Sequence, residues 1–145
     1  ADEQHRLHRA LRLSMRQARD LMIPRDRVTM LRDDAGWDEI VRTVAASPFS
    51  RIPVFHGTPA TVVGTLRVKD LVERFIKEGP VPLALLMRPI TQIAPDLPAD
   101  RVIGLMRERR AHQAVVVDAD GSVTGLITIQ DLLGELLEPR AEAAV

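Results

Sequence analysis

Apolar positions along the chain change their period in an order that occurs twice. Trp37, Ile40, Val41 and Val44 follow helical spacing after the turn Asp33-Asp34-Ala35-Gly36. Ser47-Pro48 ends that helix, because proline disfavours helix in the residue before it. Ile52–Phe55 and Thr61–Arg67 are β-rich runs parted by His56-Gly57-Thr58-Pro59. Asp70 then opens a helix expected to turn Leu71, Val72, Phe75 and Ile76 inward and to stop near Gly79-Pro80. Downstream, Pro98-Ala99-Asp100 starts a helix with Val102, Ile103 and Met106 on one face. Ala114–Val117 and Val123–Thr128 are strands joined by Asp118-Ala119-Asp120-Gly121, and Asp131 opens a last helix. The unbroken run Ala114-Val115-Val116-Val117 suits a strand covered on both faces.

Direct self-similarity agrees with this doubled pattern. Leu21-Met22-Ile23-Pro24 returns 65 positions on as Leu86-Met87-Arg88-Pro89. Val63-Gly64-Thr65-Leu66 and the following Arg67-Val68-Lys69-Asp70-Leu71 return 61 positions on, as Thr124-Gly125-Leu126-Ile127 and Thr128-Ile129-Gln130-Asp131-Leu132. The four-residue difference falls between these anchors, where changes in loop length are tolerated. The expected architecture is therefore α+β: two tandem β-α-β-β-α units, residues 21–80 and 81–140, related by a pseudo-twofold axis. Residues 1–20 precede them as a helix and linker. In that segment His5–Ala18 reads as an amphipathic helix with Leu7, Leu11, Met15 and Ala18 on one stripe, packed on the pair or on a dimer partner.

Composition narrows the function classes. Twenty basic and twenty acidic residues cancel, which removes the electrostatic reason to expect nucleic acid or an anionic membrane as the main partner. One tryptophan, three phenylalanines and no tyrosine leave no stacking platform for single strands. Without cysteine, disulfides and thiolate metal sites are excluded, in keeping with a cytoplasmic protein. No apolar run reaches the ~20 residues a membrane helix needs, and no signal-peptide pattern opens the chain. A first residue other than methionine and a featureless Ala141–Val145 end read as an excised piece, whose flanks are expected to hold any membrane segments. The chain lacks the nucleophile-elbow, phosphate-loop and zinc-protease motifs. His5, His8, His56 and His112 have no metal-ligand spacing, and Asp33, Asp34, Asp118 and Asp120 sit where turns favour aspartate. No catalytic or metal-ligating residues are assigned, and an enzyme is not expected.

A duplicated β-α-β-β-α unit with Asp70 and Asp131 at the start of each closing helix resembles the CBS-domain family, over residues 21–137. Three motifs resemble one branch, the magnesium and cobalt efflux proteins of CorC, hemolysin-C-like and cyclin-M type. They are Met22-Ile23-Pro24-Arg25, Ser50-Arg51-Ile52-Pro53-Val54-Phe55 and Gly125-Leu126-Ile127-Thr128-Ile129-Gln130-Asp131-Leu132. The closing Leu132-Leu133-Gly134-Glu135-Leu136 is less acidic than that branch usually shows, and the branch's membrane and C-terminal domains are absent from these residues.

The resemblance implies an adenine nucleotide, AMP, ADP or ATP, held between the halves, with magnesium on the phosphates if these are a polyphosphate. Val28, Thr29, Phe49 and Ile52 would line the base, and the adjoining Pro53 counts among the nucleotide-binding residues. Ser50, Arg51, His112 and Gln113 fall near the phosphates, and Thr128 and Asp131 at the ribose. A carboxylate at a helix start can accept from both ribose hydroxyls, or it can simply cap its helix. A second site is implied around Asp70 and Ile93, where Arg67 replaces the threonine; it is expected to be weaker or empty, with Arg67 either binding phosphate or filling the space. The resemblance also implies a regulatory role, a homodimer formed through closing-helix residues such as Leu133 and Leu137, and an attached or partner membrane transport domain. A regulatory pair on a different host and a dimerisation module that binds nothing remain the alternatives.

Overall fold

The computed structural model describes residues 3–7 and 15–137. After helical residues 3–7 come α1 (Ala18–Leu21), β1 (Ile23–Pro24), a 3-10 turn (Arg25–Arg27) and β2 (Leu31–Arg32). The first half continues with α2 (Trp37–Ala46), β3 (Arg51–Phe55), β4 (Val62–Arg67) and α3 (Val68–Glu78). The second contains β5 (Met87–Arg88), β6 (Thr91–Ile93), α4 (Ala99–Glu108), β7 (Gln113–Val117), β8 (Val123–Thr128) and α5 (Ile129–Leu137).

These elements form two four-stranded sheets, β2-β3-β4-β5 and β1-β8-β7-β6. Each half thus gives its first strand to the other's sheet: β1 pairs antiparallel with β8, and β5 with β4. The repeated glycines make this exchange possible. A Cβ on Gly125 would lie 2.6 Å from the Ile23 carbonyl oxygen, and one on Gly64 would lie 2.7 Å from that of Arg88. Strand register also locates the four-residue length difference. Ile93 pairs with Val116 as Leu31 pairs with Val54, so three of the four residues lie between the first two strands, where the first half has its 3-10 turn. The fourth lies in the hairpin before β4.

Three apolar clusters hold the fold. Leu31, Ile40, Ile52, Val54, Leu66 and Leu71 centre the first half, and Val102, Met106, Ala114, Val116 and Ile127 the second. Val62, Val115, Val123 and Leu126 form the third, between the sheets. Strand β7 shows why its run is unbroken: Ala114 and Val116 enter one cluster and Val115 another, so both faces are covered.

Two expectations need correction. The N-terminal helix does not continue to Ala18: Met15 lies in a turn, Gln17 is extended, and Ala18 belongs to α1, whose start is closed by Gln17 N–H donating to Asp20 Oδ2 at 2.9 Å. Leu7 and Met15 are exposed, while Ala18 and Leu21 are buried in the second half's core; Leu11 lies outside the described residues. On α3 only Leu71 is buried. Val72, Phe75 and Ile76 are exposed, Phe75 stacking on Trp37 at 5.1 Å between ring centroids. A helix laid on one sheet needs only a narrow inward stripe, which leaves the remaining apolar residues outside.

Candidate functional site

A cleft opens where β3 of one half meets β7 and β8 of the other, and it has two lobes. The larger, about 510 Å³, is walled by Pro48, Phe49 and Ser50 from the first half and by His112, Thr128 and Gln130 from the second. The smaller, about 350 Å³, is more apolar, with Ile23, Val28, Pro53 and Leu126 beside Arg27 and Thr29. Phe49, Arg51, Gln113 and Thr128 border both lobes.

Gln113 is the polar tie across the floor. Its Nε2 donates to the Arg51 carbonyl at 3.1 Å, and its Oε1 accepts from the Thr65 hydroxyl at 3.1 Å. That hydroxyl also approaches the Ile52 carbonyl at 3.2 Å. Thr128 ends β8 and its hydroxyl oxygen accepts the Asp131 amide at 3.1 Å, so the threonine, not the aspartate, caps α5. A hydroxyl has one proton, and that of Thr128 is left to donate into the cleft. The Asp131 carboxylate is exposed, with no hydrogen bond or ion pair among the described residues; Asp131 itself lines neither lobe, although the preceding Gln130 does.

Nine residues expected at the first site thus do surround one cleft: Val28, Thr29, Phe49, Ser50, Arg51 and Pro53, with His112, Gln113 and Thr128 from the other half. Ile52 does not line it; its side chain is buried in the first-half core, since alternate strand residues face opposite sides. Ile23, Leu126 and Arg27 were not expected in the wall. Ile23 and Leu126 arrive there because β1 is exchanged onto β8, a pairing that no local pattern signals.

The pseudo-symmetric cleft is different. Arg67 stands where the first site has Thr128, and Arg88 where it has Ile23. Both engage Asp70: Arg88 Nε at 2.7 Å and Nη2 at 3.3 Å, Arg67 Nη2 at 3.7 Å. Ile93 is absent from this cleft. It is buried in the second-half core as the counterpart of Leu31, and Ile90 and Thr91 take the wall positions that Val28 and Thr29 hold in the first site. The 65-residue offset of the Met-x-Pro motif does not extend to these positions, because three residues are lost just after it.

Residues 84–138 match the CBS domain family model. With a second copy of the same arrangement in the first half, the chain has the fold of a tandem pair of CBS domains. By sequence it is similar to the CorC and hemolysin C proteins. It is 34% identical to the magnesium and cobalt efflux protein CorC of Pasteurella multocida, over 83% of this chain and 41% of that protein. To hemolysin C of Rickettsia prowazekii it is 31% identical, over 94% of this chain and 45% of the relative. The chain therefore spans less than half the length of these relatives. Its fold matches the CBS domain of a bacterial CNNM/CorC family Mg2+ transporter solved in complex with ATP, with a TM-score of 0.86 and 26% identity over 94% of this chain and 98% of the other. No helix among the described residues is long and apolar enough to cross a membrane.

Proposed function

We propose that this pair is a regulatory module that binds one adenine nucleotide in the two-lobed cleft and serves as the cytosolic part of a CorC-like magnesium or cobalt efflux protein. The observation that carries the reading is the contrast between the two aspartates: Asp131 is exposed and unengaged, one residue beyond Gln130 of the cleft wall, while Asp70 is held by two arginines. The adenine enters the apolar lobe beside Val28 and Pro53. The ribose hydroxyls donate to Asp131, the Thr128 hydroxyl donates to a ribose or phosphate oxygen, and the phosphates run towards Ser50, Arg51 and His112. Complex formation by the CorC-family neighbour with ATP supports the ligand class. Magnesium would be held by phosphate oxygens and water. Because both halves contribute walls, a nucleotide that prefers one relative placement of the halves shifts their equilibrium by its difference in affinity.

Thermal unfolding tests this. At about 100 times its dissociation constant a nucleotide adds roughly 2.7 kcal/mol of stability, seen as a Tm rise of several degrees. Magnesium should enlarge the ATP shift and leave the AMP shift unchanged. No shift with AMP, ADP or ATP would reject the reading and leave a pair that binds no nucleotide.

The reading includes a homodimer. Ile76 on α3 is 77% exposed, and the equivalent residues Val72 and Leu133 on the two closing helices are about half exposed. Such apolar residues are suited to a self-complementary interface with a second copy. Ile76→Glu is expected to convert a sedimenting dimer into a monomer with an unchanged circular dichroism spectrum. A monomeric wild type at micromolar concentration, or a variant that stays dimeric, would reject that interface.

A further inference from the structure

The two sheets meet across the apolar cluster of Val62, Val115, Val123 and Leu126. Apolar contact has no preferred direction, so it holds the sheets together without fixing how one lies on the other. Directional bonds stand at both ends of the contact. At the end away from the clefts, the Val123 amide donates to the Ala60 carbonyl at 2.9 Å. At the cleft end stands Gln113, paired with Thr128 across β7 and β8. Ala114 and Leu66 turn into the cores of their own halves, so their neighbours Gln113 and Thr65 face the opposite sheet. Among the described residues, every side-chain hydrogen bond between the two sheets runs through Gln113.

The orientation of the amide is fixed, because the Arg51 carbonyl can only accept and therefore takes the Nε2 end. The Oε1 end then faces the Thr65 hydroxyl, on the neighbouring strand of the same sheet. Gln113 and Thr65 are each 8% exposed, and an amide or hydroxyl at that depth is destabilising without a partner. Sliding one sheet on the other would break both bonds at once. The tie occurs once: by strand register, Arg51 and Leu126 take the places of Gln113 and Thr65 in the opposite halves. We infer that Gln113 is a positioning residue of the nucleotide cleft, holding β3 and β7 at the separation the ligand enters by way of Arg51 and Thr65. The inference rests on the nucleotide reading above, and it gives Gln113 a part other than the phosphate contact that the family resemblance implies. Thr65 lines neither lobe, yet it belongs to the site through this bond.

Calorimetric titration with AMP and with ATP tests this on the wild-type chain, Gln113→Met, Thr65→Val and Thr65→Ser, each first checked for folding by circular dichroism. Valine keeps the shape of threonine and loses its hydroxyl, whereas serine keeps the hydroxyl and loses the methyl group. A polar tie predicts that Gln113→Met and Thr65→Val each weaken binding by about tenfold. Thr65→Ser then binds as the wild type does, although the missing methyl group lowers its Tm. Equal losses in the serine and valine variants would mean that Thr65 acts by packing alone, and the inference is overturned. Loss in Gln113→Met without loss in Thr65→Val marks direct contact with the ligand, and the reverse marks a role of Thr65 apart from Gln113; either overturns it. Unchanged affinity in all three variants does the same. Failure of the nucleotide reading looks different, because the wild type itself then binds neither AMP nor ATP, and the tie has no site to position.

Discussion

Asp131→Ala is expected to weaken adenine-nucleotide binding by about 100-fold or more, while Asp70→Ala leaves it within about threefold. A hydrogen bond to a charged group contributes roughly 1.5–3 kcal/mol, and a carboxylate taking both ribose hydroxyls makes two. Each 1.4 kcal/mol is about tenfold. Asp131 reaches that geometry cheaply, because it is exposed at the start of α5 and breaks no bond within the chain among the described residues. Helix capping is untouched by the substitution, since the cap is Thr128. Stability should fall by only ~0.3–1 kcal/mol, from the lost acidic charge in the first helical turn. Asp70 occupies the same helix position in the first half, but its oxygens are engaged by Arg88 and Arg67. Isothermal titration with AMP and ATP on both variants reads the contrast. Equal losses would mean that both clefts take nucleotide, and no loss in Asp131→Ala would remove the ribose contact from this site.

How far this site could be read from the sequence depends on which residues act locally. Thr128 was legible because capping chemistry lies within one turn of chain, whereas Asp131, expected with it, lines neither lobe. Arg51 and Gln113 were expected from the family resemblance, and they open β3 and β7 at matching places in the two copies. Ile23 and Leu126 were hidden: their place in the cleft depends on β1 crossing to the other half's sheet, a long-range pairing of two residues. Ile52 was misplaced by one step of strand alternation, enough to move a side chain from cleft to core. Ile93 stands 65 residues after Val28, but the three residues missing between the first two strands of the second half make it the counterpart of core Leu31. The apolar stripe of α3 is wider than its covered part, since periodicity marks which residues share a face but not how much of that face is covered. Helix and strand placement otherwise followed the period of the sequence, to within one or two residues at the ends of most elements.

Gly125→Val is expected to destabilise the chain by about 3 kcal/mol, at the upper end of overpacking costs, or roughly 10 °C in Tm. The reason is where the new atoms would go. The Cβ alone meets the backbone oxygen of Ile23 at 2.6 Å and the side chain of Met22 more closely still. Met22 can swing away, but the Ile23 carbonyl belongs to β1, so relief requires β1 to leave β8. Departure of β1 also removes Ile23 from the cleft wall and loosens the segment that carries Val28 and Thr29. Nucleotide affinity should therefore fall together with stability, although Gly125 itself does not line the cleft. Gly104 supplies the control: it lies within α4 with nothing within 4 Å of its added Cβ, so Gly104→Ala should be neutral or stabilise by up to ~1 kcal/mol. Chemical denaturation and nucleotide titration of the two variants check both expectations. A Gly125→Val protein as stable as wild type would mean that the β1–β8 exchange does not hold the two halves together. Retained stability with lost binding would restrict the role of β1 to shaping the site.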